Sequence, residues 1–140
     1  MTGVTHCRGS VFSRIVAGLL SLSLLALETQ AKKLELVKKV GDLTVEMDME
    51  KDPPAVGKNA VEVRIKDGQG KPVQEAKVYL NYYMPPMPRM APMNFKVEAK
   101  RKKEAYPAVM NLIMAGPWII LVRITLGDKT STAKFQIDAR

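Results

Sequence analysis

The sequence predicts an all-β fold, an immunoglobulin-like antiparallel β-sandwich of about seven strands. Three observations lead to it. Apolar and polar residues alternate with period two from Leu43 almost to the C-terminus, the mark of strands with one buried face. Turns rich in glycine or proline break the alternation at intervals of roughly eight to fifteen residues, the spacing of a small all-β domain. After the N-terminal segment, no stretch carries a convincing helical period.

In chain order, residues 1–31 stand apart from that pattern. Residues 1–14 are polar and carry Arg8 and Arg14 but no acid, and IVAGLLSLSLLAL at 15–27 is an apolar run. Thr29 and Ala31 then occupy the −3 and −1 positions of a cut after Ala31. This is the layout of a secretory signal. An uncleaved membrane anchor is the alternative, but the run falls short of the roughly 20 apolar residues that a spanning helix needs. Membrane contact is therefore expected only through this segment, and only if it is retained. The domain is then 32–140, exported to the periplasm or the extracytoplasmic side of a membrane. It lacks Cys and His, since Cys7 and His6 lie in the signal. With no disulfide available, an apolar core must hold the domain alone, which is feasible at this size.

Within the domain, LTVEMDM at 43–49 turns Leu43, Val45, Met47 and Met49 one way and Thr44, Glu46 and Asp48 the other. Two prolines in EKDPPAVGKN forbid regular pairing there. NAVEVRIK at 59–66 alternates again, and DGQGKP at 67–72 is a turn. KVYLNYY at 77–83 puts Val78, Leu80 and Tyr82 on one face, and NFKVEAK at 94–100 does so with Phe95, Val97 and Ala99. KRKKE makes a tip before AYPAVMNLI at 105–113. WIILVRI at 118–124 carries apolar residues on both faces, which predicts a central strand covered on both sides. LGDK is a tight turn, and STAKFQID at 131–138 turns Ala133, Phe135 and Ile137 inward.

The formal charge is +8 for the chain, and +7 once Arg8, Arg14 and Glu28 are removed with the signal. Basic residues cluster at Lys32, Lys33, Lys38 and Lys39 and again at Lys100–Lys103. In an exported protein such clusters read first as solvated edges that discourage strand-to-strand aggregation. The remaining reading is contact with an anionic envelope surface or an acidic partner, and no nucleic-acid role is expected.

DPPAVGKNAVEVRIKDGQGKPVQEAKV, a tyrosine-rich strand, a Met-Pro segment and AYPAVMNLIMAGPWIILVRI together resemble the YtkA-like family, which includes the domain of FixH-like proteins. The resemblance runs from about Gly41 to Ile137, carried by the order and spacing of VGKN, DGQGKPVQEAKV, the Met-Pro run and MAGPW. It implies an exported or membrane-tethered β-sandwich. FixH-like members are linked to assembly of copper-containing terminal oxidases, and other members sit near heavy-metal efflux systems. Many relatives carry a histidine among or near these methionines. This chain has none there, which speaks against a His-assisted or Cu(II) site, and it lacks the clear anchor expected of FixH itself.

The Met-Pro run is MPPMPRMAPM, residues 84–93, with Met84, Met87, Met90 and Met93 at a period of three. Its four prolines fix φ, remove amide donors and push the residues before them away from helix. A polyproline II segment would align the four thioethers along one edge, roughly 9 Å apart from one to the next. Thioethers are soft ligands that select Cu(I). Convergence on one ion requires a bend, expected near Arg89 and Ala91, with Met110 and Met114 as additional ligands or packing. The same segment can also serve as an apolar docking surface, with Tyr82, Tyr83 and Trp118 beside it, or as a loop whose methionines fill gaps.

Catalysis is not expected. The domain has no His or Cys, no G-x-S-x-G, no P-loop and no dinucleotide fingerprint. Asp48, Glu50 and Asp52 alternate without the glycine and extra oxygens of a Ca²⁺ loop. The expectation is a non-enzymatic accessory protein that binds Cu(I) through the methionine row and serves a metal-efflux or oxidase-assembly partner in the envelope. The rival expectation is a protein-interaction module that uses the same loop.

Overall fold

The computed structural model describes residues 32–140. The expected signal or anchor, residues 1–31, lies outside the described residues. One sheet has the order β1-β2-β3-β6, from β1 (Leu34–Val40), β2 (Leu43–Met49), β3 (Gly57–Lys66) and β6 (Tyr106–Leu112). The other has the order β5-β4-β7-β8, from β4 (Lys77–Tyr83), β5 (Asn94–Ala99), β7 (Gly116–Leu126) and β8 (Lys129–Ala139). Every pairing is antiparallel. The sandwich expected from the alternation is present, and all seven expected strands are in it.

The eighth strand is β1. Its three lysine and glutamate interruptions and an outward Val37, 66% exposed, blur the alternation because it is an edge strand with little to bury. A turn signal was nevertheless present. Gly41-Asp42 joins β1 to β2 as a two-residue hairpin with Gly41 at φ +60°. Gly127-Asp128 joins β7 to β8 in the same way with Gly127 at φ +55°. Glycine at the first central position suits a tight hairpin turn whose twist matches its strands.

The inward residues of both sheets form one core, with Trp118, Tyr106, Met47, Met49 and Met110 among its largest fully buried side chains. Buried polar groups are satisfied. The Tyr106 hydroxyl donates to the Val73 carbonyl at 2.9 Å and accepts from the Ala76 amide at 3.2 Å, tying the segment after DGQGKP to the core. The Tyr82 hydroxyl accepts from the Asn111 amide at 3.2 Å and so links the two sheets.

The outer face of β7 departs from expectation. Ile119 and Leu121 are half-buried, and Arg123 is exposed. No other strand of the described chain packs over them, so β7 is covered on one side only.

One end of the sandwich gathers the β4–β5 loop, the β6–β7 corner and the C-terminus. The Tyr83–Asn94 pair closes the β4–β5 ladder there, and β6 crosses to β7 through residues 113–115. Hydrogen bonds from Val56 to the Arg140 carbonyl (3.1 Å) and from Arg140 to the Pro54 carbonyl (2.9 Å) bind the C-terminus to the same end.

Candidate functional site

Residues 84–93 are the loop of the β4–β5 hairpin, and the methionine row is folded rather than straight. The Met90 amide donates to the Met87 carbonyl at 3.2 Å, with Pro88 and Arg89 between them and Arg89 at φ +66°. This is the geometry of a type II turn, in which proline suits the first central position and positive φ is required at the second. Continuous polyproline II therefore does not run the length of the segment. The reversal falls at Arg89, where the least proline-constrained stretch begins, and it brings the two halves of the row back upon each other.

The result is a pocket of about 160 Å³ lined by Tyr83, Asn94 and loop residues that include all four methionines. The four differ in setting. Met84 is 5% exposed and belongs to the core. Met87 and Met93 are half-buried against the core, and Met90 stands 38% exposed. The site is thus anchored at one thioether and open to solvent at another.

The β6–β7 corner supports it from below. Gly116 has φ +123°, and a Cβ added there would lie 3.0 Å from the methyl carbon of Met84. The indole nitrogen of Trp118 donates to the Met114 carbonyl at 3.0 Å, which pins the corner. Tyr82, Phe95 and Trp118 cluster beneath the loop with ring centroids 5.4 to 6.2 Å apart.

Several expected site residues move to other roles. Tyr82 and Trp118 (0% exposed) are core residues and cannot offer a docking surface, because they lie on the inward face with Leu80 and Ile120. Tyr83, of opposite parity, is half-buried on the outer face and lines the pocket. Met110 is 0% exposed in the middle of β6 and is packing. Met114 is half-buried at the same end as the pocket, but it is not among the pocket's lining residues.

The segments that carried the family resemblance are largely fold-makers. In VGKN, the Asn59 side chain donates to the Ala55 and Gly57 carbonyls at 2.7 and 2.9 Å and accepts from the Ala55 amide at 3.2 Å. In DGQGKP, the Asp67 carboxylate accepts from the Gln69 and Lys71 amides, both at 2.9 Å. MAGPW makes the corner that carries the pocket. The Met-Pro run is the exception, since Met87 and Met93 are only partly buried and Met90 is exposed.

Two further grooves lie on the outer face of the other sheet, with volumes of about 360 and 640 Å³, and share Glu62, Arg64 and Pro107. Of their charges, Arg64 pairs with Asp48 at 2.9 Å and with Glu62 at 3.1 Å. Burial pushes the Asp48 carboxyl above its ordinary range against the opposing pull of Arg64, and Glu35, Glu62 and Glu46 add to the rise. Among the described residues, no three His, Cys, Asp or Glu side chains group as a metal cage. Asp48, Glu50 and Asp52 accordingly do not form one. The thioether loop is the soft-donor cluster with a cavity at its centre.

The model of the YtkA-like family matches residues 38–123. No curated protein matches the chain. Among solved structures, the chain is similar to the PmoD soluble domain from Methylocystis sp. ATCC 49242 (Rockwell), at 17% identity and a TM-score of 0.55. That likeness covers 75% of this chain and 97% of the other. At this identity it is a likeness of fold.

Proposed function

The chain belongs to the YtkA-like family, and on that premise we propose that it is an exported, non-enzymatic accessory protein that binds Cu(I) through the Met84–Met93 loop. The observation that carries this reading is the folded loop: one turn at Pro88-Arg89 gathers four neutral thioethers around one pocket beside the core. Thioethers fit Cu(I) by softness and do not favour Zn²⁺, Mg²⁺ or Ca²⁺. They need no deprotonation to bind, so affinity persists into mild acid, unlike sites built from Cys or His. The family assignment fits a copper-associated accessory role, with delivery to an oxidase-assembly or efflux partner as the downstream step.

The setting of the four residues favours a division of labour. Met84 is fixed by Gly116 and the core, while Met90 can reach an incoming ion from solvent. A pre-positioned ligand beside an exposed one lets an ion be captured and passed on without rebuilding the loop. The rival reading, a docking module using the Met/Pro loop, loses Tyr82 and Trp118 to the core and keeps Tyr83.

The test is an anaerobic Cu(I) titration of residues 32–140 against a competing chelator, beside a variant with Met84, Met87, Met90 and Met93 changed to Leu. Leucine conserves volume and hydrophobicity, so the fold should survive. One ion retained by the wild type and none by the variant is expected. Equal failure of both to compete, or tight Zn²⁺ binding, would contradict the reading.

A further inference from the structure

The two outer faces of the sandwich are unlike. On the β1-β2-β3-β6 side the central positions are charged and mutually paired, Arg64 with Asp48 and Glu62, and Lys66 with Glu46. On the β5-β4-β7-β8 side the centre includes an apolar patch, Tyr83, Ile119 and Leu121, with Asn81 opposite Leu121 and Arg123 opposite Tyr79. Register places Tyr83 beside Ile119, with Leu121 two residues further along the same face of β7. These three are half-buried, and no element of the described chain covers them. Around them Lys77, Lys96, Arg123 and Lys134 point outward against Glu98 and Asp138; Lys96 Nζ lies 4.3 Å from the Tyr79 ring centroid, and none of the four cations is in an ion pair with a described residue.

An antiparallel sheet with one solvated face ordinarily places polar residues there. An apolar centre rimmed by charge is instead the layout of a protein interface. The rim is cationic in excess, so two copies of this face repel each other, and a complementary occupant is anionic. The apolar groups are half-buried while the rim lysines stand exposed, so they do not project as a membrane-inserting surface requires. They can receive an apolar group that a partner brings.

We propose that the outer face of the β5-β4-β7-β8 sheet docks an acidic protein segment carrying an apolar anchor, which settles on Tyr83, Ile119 and Leu121. Tyr83 also lines the methionine pocket, so a partner seated here lies next to the loop. The proposal rests on this face and does not require that the loop bind metal.

The test is amide NMR of metal-free protein at physiological ionic strength with two probes: a short glutamate-rich peptide with a central tryptophan, and the same peptide with glutamate in place of tryptophan. The tryptophan peptide should shift amides of β4 and β7 saturably and bind roughly tenfold more tightly than its all-glutamate counterpart. Leu121→Ser and Lys134→Glu should each weaken it several-fold. Leu121→Met should restore binding, which separates loss of the surface from loss of fold. The variant with all four loop methionines changed to Leu should bind the peptide as wild type does, so this proposal and the copper reading fail independently. Equal affinity for both peptides, or shifts spread over every lysine-bearing strand, would overturn it. So would binding of phosphatidylglycerol vesicles in preference to the peptide, or concentration-dependent self-association through this face.

Discussion

Replacing Gly116 with alanine should destabilise the domain and disturb the methionine pocket through one contact. The cost has two parts. The backbone at φ +123° lies where L side chains rarely go, and holding a non-glycine residue there costs about 1–3 kcal/mol. The new Cβ would also stand 3.0 Å from the Met84 methyl carbon. A methionine tip is flexible, so the crowding belongs at the low end of overpacking, about 1 kcal/mol. The sum is about 2–4 kcal/mol. Gly57 supplies the control, because its φ is +106° and an added Cβ meets nothing within 4 Å. Gly57→Ala should therefore cost only the backbone part, about 1–3 kcal/mol. Urea unfolding of the two variants gives both numbers from midpoint shifts at unchanged slope. In a Met84→Ala background the contact is gone, and Gly116→Ala should fall to the cost of Gly57→Ala, a coupling of about 1 kcal/mol. If Gly116→Ala costs no more than Gly57→Ala, and Met84→Ala leaves it unchanged, the β6–β7 corner does not position Met84.

Other outcomes follow from the same structure. Tyr106→Phe removes one hydroxyl that both donates to Val73 and accepts from Ala76, and should cost about 1–3 kcal/mol in urea unfolding. Asn59→Ala strips the Ala55 and Gly57 carbonyls of their donor, costs a similar amount of about 1–3 kcal/mol, and should raise amide exchange in the Pro54–Gly57 segment before elsewhere. For Asp48, burial holds the folded-state pKa above the ordinary value of 3.8. The folded protein then binds that proton more tightly than the unfolded chain does. The Asp48 contribution to stability must fall as pH rises from 3.8 through its raised folded value. Asp48→Asn should remove that part of the pH dependence, and a difference curve of opposite slope would mean that the Arg64 pair outweighs burial.

The fold was legible wherever burial was one-sided, because a strand with one buried face writes its parity into the sequence. That parity had already put Tyr82 with Val78 and Leu80, and Trp118 with Ile120, on inward faces. Their assignment to a docking surface overrode information that was present. Ile119 and Leu121 misled in the opposite sense, since apolar residues on an outer face need not be covered by the same chain. β1 was hidden by its lysines, although the Gly-Asp that begins its hairpin is the dipeptide that marked the β7–β8 turn. At the loop, proline stereochemistry was legible, and the bend expected near Arg89 and Ala91, where proline constrains least, falls at Arg89. The positive φ of Arg89 itself, +66°, was not legible, since non-glycine residues seldom adopt it.

The most direct measurement is carbon-13 methyl NMR of protein labelled at its methionine methyl groups, titrated anaerobically with Cu(I), which is diamagnetic. The methyl signals of Met84, Met87, Met90 and Met93 should shift together and saturate at one ion, while those of Met47, Met49 and Met110 in the core stay in place. Unmoved loop methyls, or shifts confined to methionines outside the loop, would contradict the assignment of the folded Met-Pro loop as the metal site.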